Sequence, residues 1–297
     1  MRFQMNRRSS AEKADGVTDG PFNSLVRLLR PHAEVRRLGS VLAAICTDPP
    51  HLPPSSQDAL YAALPEVSAR VFGLDMSNYW EHRRRNNLFG QLDKLYLFGD
   101  TSGDVIGWAT YCTRRYAGRL CIYFDNAGIL PKWRRNGVMR KAYERVVRWT
   151  LLRHPWERVY LITRTANPVV YRGFQMGVGA SHTYPAPGHT VPPRIAAIAQ
   201  AVAEWLGEAD RLEVGQLKFP GCYRKYFPRL YAERPRSGDE GLDRWFDASL
   251  GPADAFLVIS EASIPSMAIQ DVRTLVQRLR LRSRVETQEQ PVAGDHW

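Results

Sequence analysis

Ile129-Leu130-Pro131-Lys132-Trp133-Arg134-Arg135-Asn136-Gly137-Val138-Met139 is the stretch whose reading decides the fold. It follows an apolar run of strand character, Arg119 to Ile129 (RLCIYFDNAGI), and opens a run of helical character. In that second run Met139, Ala142, Tyr143, Val146, Thr150 and Arg153 share one face at 3.6 spacing, with Arg140, Lys141, Glu144, Arg145 and Arg148 on the other. His154-Pro155 stops the helix, and Arg158 to Thr163 (RVYLIT) reads as a buried strand. A strand joined to the next by a helical crossover should lie parallel to it. Where a chain turns from strand into helix, the first backbone N–H groups of the helix lack partners. Together with the helix dipole they make an anion site, and a glycine allows close approach. Lys132, Arg134 and Arg135 add charge, so a pyrophosphate is the natural guest; an ordinary basic turn is the competing reading.

Working back from this stretch, Lys94 to Phe98 (KLYLF) and Val105 to Thr113 (VIGWATYCT) are strand-like and separated by the turn cluster Gly99 to Asp104. With Arg119 to Ile129 they predict a three-stranded antiparallel meander. Ser77 to Asn87 and Asp58 to Arg70 read as helices, the first carrying His82-Arg83-Arg84-Arg85 as a solvated face. Thr47 to Ser56 (TDPPHLPPSS) breaks the chain, and Phe22 to Cys46 shows apolar residues at helical spacing. Working forward, a proline-rich loop (YPAPGHTVPP) precedes a helix from Arg194 to Leu206. Leu217 to Pro220 and Asp254 to Ile259 are strand-like, and Ser266 to Leu281 carries the apolar stripe Val272, Leu275, Val276 and Leu279. The expected division is a loose leader over 1–20, a helical region over 21–90, the core over 91–184, an extension completing the sheet over 185–282, and a polar tail over 283–297.

The 297 residues suffice for one large domain with appendages, and 44% hydrophobic content fits a packed core. A net charge of +11 points to anionic partners. Cys46, Cys112, Cys121 and Cys222 have neither CxxC spacing nor a histidine neighbour, so reduced core thiols are expected and no metal. Cys112 and Cys121 flank a hairpin and could face each other. No secretory signal is visible and the longest early apolar run, Val41 to Cys46, cannot span a bilayer, so a cytoplasmic protein is expected. The eight tryptophans are scattered and no helix-turn-helix is evident, which disfavours a nucleic-acid partner.

A second motif opens at the end of the parallel strand: Thr163-Arg164-Thr165-Ala166-Asn167-Pro168-Val169-Val170-Tyr171-Arg172-Gly173-Phe174. Asn167 is a good N-cap and Pro168 a good first helical residue, which brings Tyr171 one turn in, near the edge where α/β sheets bind ligands. The two motifs in this order resemble the GNAT superfamily of acyltransferases. That family's phosphate loop has Gln or Arg, two free positions, Gly, one free position, then Gly or Ala; Arg134 and Gly137 match, while Met139 stands at the last position. Asn167-Pro168-x-x-Tyr171-x-x-Phe174 resembles a shortened form of the family's later segment.

The resemblance covers roughly Lys94 to Ala180. It implies a mixed α/β (α+β) fold, a largely antiparallel sheet with one parallel β-α-β crossover at the acyl-donor cleft. It further implies acetyl-CoA or another acyl-CoA as co-substrate, with the backbone of Arg134, Arg135, Asn136, Gly137, Val138 and Met139 holding the pyrophosphate. Ala127, Ile129 and Leu130 would pair with the pantetheine arm, Asn167 would contact it, and Tyr171 would protonate the leaving thiolate. Asp125 is the first candidate for the base that deprotonates an amine acceptor, small molecule or peptide; His82 and Glu81 are distant alternates. Each has a structural alternative: Asp125 as a hydrogen-bonding residue, Tyr171 as a core tyrosine, Arg164 and Arg172 as ion-pair partners. The basic surface would equally suit an acidic acyl carrier protein as donor. The competing function is a catalytically inactive GNAT-like binding or sensing module.

Overall fold

The computed structural model describes residues 20–30 and 32–268. Helix α1 (Pro21–Leu29) buries Phe22, Leu25, Val26 and Leu29 and is followed by a hairpin, β1 (Ala33–Leu38) and β2 (Val41–Cys46). The expected helical character of Phe22 to Cys46 therefore holds only to Leu29. Short apolar runs such as VLAAIC fit a buried strand as well as a helix. Here Gly39, at φ +69°, makes the turn that lets β2 pair on both sides. Helices α2 (Pro54–Phe72) and α3 (Ser77–Arg85) follow, as the sequence pattern predicts.

Strands β3 (Lys94–Gly99), β4 (Val105–Tyr116) and β5 (Arg119–Ile129) continue the meander, which thus has five strands instead of three. Helix α4 (Val138–Arg153) crosses to β6 (Val159–Thr165), parallel to β5 as expected. Helix α5 (Pro168–Val178), strand β7 (Thr183–Tyr184), helix α6 (Pro193–Trp205), strand β8 (Lys218–Phe219), helix α7 (Glu240–Ser249) and strand β9 (Ala255–Ala262) complete the described chain. The sheet order is β1-β2-β3-β4-β5-β6-β9-β7, with β8 on the end of β9, and every pairing except β5–β6 is antiparallel. The anticipated completion of the sheet by the later chain is met by β9, buried along its whole length and inserted between β6 and β7. Most of the helix expected over Ser266 to Leu281, the leader before Gly20 and the polar tail lie outside the described residues.

Two apolar clusters hold the sheet. One joins α4, α5 and α7 to Leu120, Ile122, Phe124, Val159 and Phe256, and extends under α1, α2 and α3. The other packs Ile195, Ile198, Ala199 and Val202 of α6 on Cys112, Cys121, Tyr123, Tyr160 and Ile162. All four cysteines are buried free thiols, and Cys121 pairs with Arg114, not Cys112.

Candidate active site where β5 and β6 part

Strands β5 and β6 pair from Leu120–Val159 to Phe124–Thr163 and no further, although β5 runs on to Ile129 against β4 and β6 to Thr165 against β9. A β-bulge causes the parting. Ala109 pairs with Ala127 and Tyr111 with Phe124, so Asp125 and Asn126 both stand opposite Thr110. The Thr110 hydroxyl donates to the Asn126 carbonyl (3.1 Å) and accepts from its N–H (3.2 Å), stitching the bulge in place. The Thr163 hydroxyl donates to the Phe124 carbonyl at 2.9 Å, where the next ladder bond would have formed. A bulge bends its strand, so beyond Asp125 the β6-facing edge of β5 has no strand partner. The bulge also resets the side-chain alternation that simple strand counting predicts. Asn126 joins Asp125 on the face under α2 and α3, accepting from the Trp108 indole at 2.5 Å.

At the far end of this open edge Leu130 still bonds back to Ile106 (2.9 Å), and Pro131–Trp133 makes a single tight turn. Arg135 (φ +66°) and Gly137 (φ +70°) then take left-handed conformations just before α4. Among the described residues, the six successive N–H groups from Arg135 to Arg140 meet no acceptor. Alternating backbone of this kind forms an anion-binding concavity, and the positive end of the α4 dipole adds to it. Met139 does not obstruct it, because its side chain packs against the main core. Arg134 serves differently from expectation: its guanidinium donates to the Val71 carbonyl (2.7 Å) and the Ile129 carbonyl (3.3 Å), tying the loop to α2. The residues present thus fit a pyrophosphate through backbone donors.

The opposite wall of the parting is a buried polar cluster. Asp125 forms an ion pair with Arg83 of α3, the two side chains being 7% and 18% exposed. Burial opposes the Arg83 charge, but Asp125, Tyr79 and Tyr123 outweigh it and hold its pKa above the ordinary value. The Asp125 carboxylate also accepts from Asn126 Nδ2 at 3.2 Å, so it is engaged on two sides. Arg83 is the buried member of a run whose Arg84 and Arg85 are exposed and paired with Asp58 (2.6 Å) and Glu81 (3.0 Å). His82 stacks edge-on against Tyr226 at 5.1 Å, and burial together with Lys225 and Arg83 lowers its pKa. Arg164 is a buried pair with Glu208 (2.6 Å), which Lys225 also contacts (3.0 Å), whereas Arg172 makes the expected surface pair with Asp239 (2.7 Å).

Tyr171 lies in the core. Its side chain is 0% exposed, packs edge-on against Trp245 and Phe246 of α7, and donates its hydroxyl to the Pro185 carbonyl at 2.6 Å. The α5 side chain that meets Phe124, where the strands part, is Phe174, which carries no proton. Burial pushes the Tyr171 pKa up to about 12. Tyr171→Phe is expected to lose about 1–3 kcal/mol of stability through the orphaned carbonyl, with turnover per folded molecule unchanged; urea unfolding and initial rates check both. Sequence reading missed Tyr231, which reaches over from the segment after β8. Its ring packs against Phe72, and burial raises its pKa to about 12 against the opposing influence of Asn167. Asn167 also caps α5 by accepting from Val169 N–H at 2.9 Å. Nothing local in the sequence ties Tyr231 to Asn167; a long-range turn does.

The sequence pattern of the Acetyltransferase (GNAT) family matches residues 63–178, from within α2 to the last residue of α5. This stretch is a GNAT acetyltransferase domain. Both motifs and the parting of β5 and β6 fall inside it, while α6, α7, β9 and Tyr231 lie outside. Among solved structures, the *Escherichia coli* GNAT protein YhbS in complex with CoA overlaps 47% of this chain and 71% of its own, at 14% identity and a TM-score of 0.33. The ribosomal-protein-S18-alanine N-acetyltransferase of *Escherichia coli* overlaps 75% and 95%, at 12% identity and a TM-score of 0.37. No curated protein matches the sequence. Among the described residues of the chain that carries the GNAT domain, no helix is long and apolar enough to cross a membrane, and no cluster of three or more His, Cys, Asp or Glu could hold a metal.

Proposed function

We propose that the chain transfers an acyl group from a coenzyme A thioester to an amine in the opening between β5 and β6. The free N–H groups from Arg135 to Arg140, beside the unpaired edge of β5, carry this reading. The N–H groups at the start of α4 hold the pyrophosphate; Ala127 and Ile129 on the β5 edge pair with the pantetheine amides as an added strand would. The amine nitrogen attacks the thioester carbonyl carbon, the C–S bond breaks, and the amine's proton must leave. His82, kept neutral by its surroundings, accepts that proton, and Tyr231 at Asn167 supplies one to the departing thiolate. The net charge of +11 supports an acidic acyl carrier protein as the alternative donor.

Coenzyme A at a hundred times its dissociation constant should stabilise the chain by about 2.7 kcal/mol. Gly137→Val should abolish that shift, because position 137 needs a positive φ. If neither saturating coenzyme A nor acyl carrier protein moves the melting temperature, the reading is lost. With a transferable acceptor, kcat/KM should rise with pH along a limb whose midpoint lies below the ordinary histidine value of 6.5, since His82 must be neutral to act. His82→Gln should remove that limb and slow transfer by about 10²- to 10⁴-fold. A second reading, a binding or sensing module without turnover, is favoured by the occupied Asp125 carboxylate and the buried Tyr171 hydroxyl. It predicts the coenzyme shift with no transfer to any amine.

A further inference from the structure

A cavity of about 590 Å³ opens on the other side of the molecule's sheet core, between the β2–β4 face that carries Tyr96 and Tyr111 and the C-terminal half of α4. It lies well away from the donor loop: Trp149 is eleven residues along α4 from Val138, about 16 Å at 1.5 Å per residue. Lys94, Arg145 and Arg153 line it, and none has a carboxylate partner among the described residues. Arg36 is a fourth cation of the lining, and the three carboxylates that also line the cavity, Glu34, Asp48 and Asp93, each have a partner, Glu34 attracting Lys94 and Arg145 as well. Glu34 pairs with Arg36, Asp48 with His51 (2.7 Å), and Asp93 accepts from the Thr113 N–H (2.6 Å). Lys94 is half-buried; that burial and the repulsion of Arg145, Arg153 and Arg36 lower its pKa against the pull of Glu34. Like charges crowded into a concave site are relieved by an anion.

Three aromatic rings also line it. Tyr96 and Tyr111 lie side by side on the floor, ring centroids 6.3 Å apart, with hydroxyls that meet no partner among the described residues. Trp149 forms the rim, 53% exposed, with the Arg153 guanidinium 5.6 Å over its ring. The volume falls within the range of pockets for small ligands, about 300–1,000 Å³.

We propose that this cavity binds a small aromatic anion, its ring against Trp149 and the tyrosine pair and its carboxylate or phosphate between Lys94 and Arg145. It is a second site, independent of the donor cleft. The test uses the full chain, titrated calorimetrically with 2-naphthoate, neutral 2-naphthamide and phenyl phosphate, with tryptophan emission compared between wild type and Trp149→Phe. Naphthoate should bind at least about tenfold more tightly than the amide and change an emission component that Trp149→Phe lacks. Lys94→Gln and Arg145→Gln should each weaken it by about tenfold or more, Lys94→Arg should retain it, and saturating coenzyme A should not compete. Stronger binding of phenyl phosphate than naphthoate would support the same site and assign a phosphate as its preferred group. Equal binding of acid and amide, undiminished binding in folded Arg145→Gln, or displacement by coenzyme A would each overturn the proposal. Arg145 lies on the helix surface, so that variant reports even if Lys94→Gln fails to fold.

Discussion

Arg83→Met should lower stability by about 3–5 kcal/mol, the usual cost of leaving a buried charge without its partner. Asp125, 7% exposed, would lose its ion-pair partner in a wall made of Tyr79, Tyr123 and Tyr226, with Asn126 (3.2 Å) as its remaining donor. That loss is a large share of a domain's total of about 5–15 kcal/mol, so the variant should unfold at markedly lower urea. The double variant Arg83→Met with Asp125→Leu should recover much of it, because an apolar pair of similar volume is tolerated where one lone charge is not. A double-mutant cycle by urea unfolding measures the coupling. Acyl transfer should fall in the single variant while any remaining folded protein still responds to coenzyme A, since among the described residues no hydrogen bond or ion pair links the α4 loop to this pair. A cost under about 1 kcal/mol would mean that the pair behaves as a solvated surface bridge.

Trp108→Ala should cost a similar amount, about 3–5 kcal/mol for a large aromatic removed from a core. The indole is 1% exposed, packs edge-on against Trp80 (5.7 Å) and Phe72 (6.4 Å), and donates to Asn126 inside the bulge. Its six-membered ring also explains Gly128. A Cβ there would fall 2.6 Å from Trp108 and 2.9 Å from Val71, so only glycine lets β5 pass. Removing the indole opens a cavity and leaves the Asn126 side chain held only by Asp125 (3.2 Å), so the β5 edge should lose its fixed course. The coenzyme shift should shrink along with the melting temperature. Trp108→Phe, which keeps a ring but not the N–H donor, should give the smaller loss of about 1–3 kcal/mol expected for one buried group left unsatisfied. Calorimetric melting with and without coenzyme A separates the two effects.

The parallel crossover, the meander feeding it and the donor loop were legible in the sequence because each depends on neighbours along the chain. Runs rich in aromatic and β-branched residues, bounded by turn residues, mark β3, β4 and β5. A 3.6-period stripe marks α4, and glycine before a helix start marks the N–H cluster. Asn167 as a helix cap is equally local. The hairpin β1–β2 was not legible, since an all-buried run such as Val41 to Cys46 has no period of its own to report. The roles of the polar residues were decided only in three dimensions. Nothing near Asp125 in sequence indicates that Arg83, forty-two positions earlier, will take its carboxylate. Nothing near Tyr171 indicates that Pro185 will take its hydroxyl, or that Tyr231, from beyond β8, will pack on Phe72 of α2. By itself, then, the sequence determined where the backbone offers donors, because backbone geometry is set locally. Only the tertiary structure decided which side chains remain free to act, because burial and pairing depend on segments that meet only when the sheet closes.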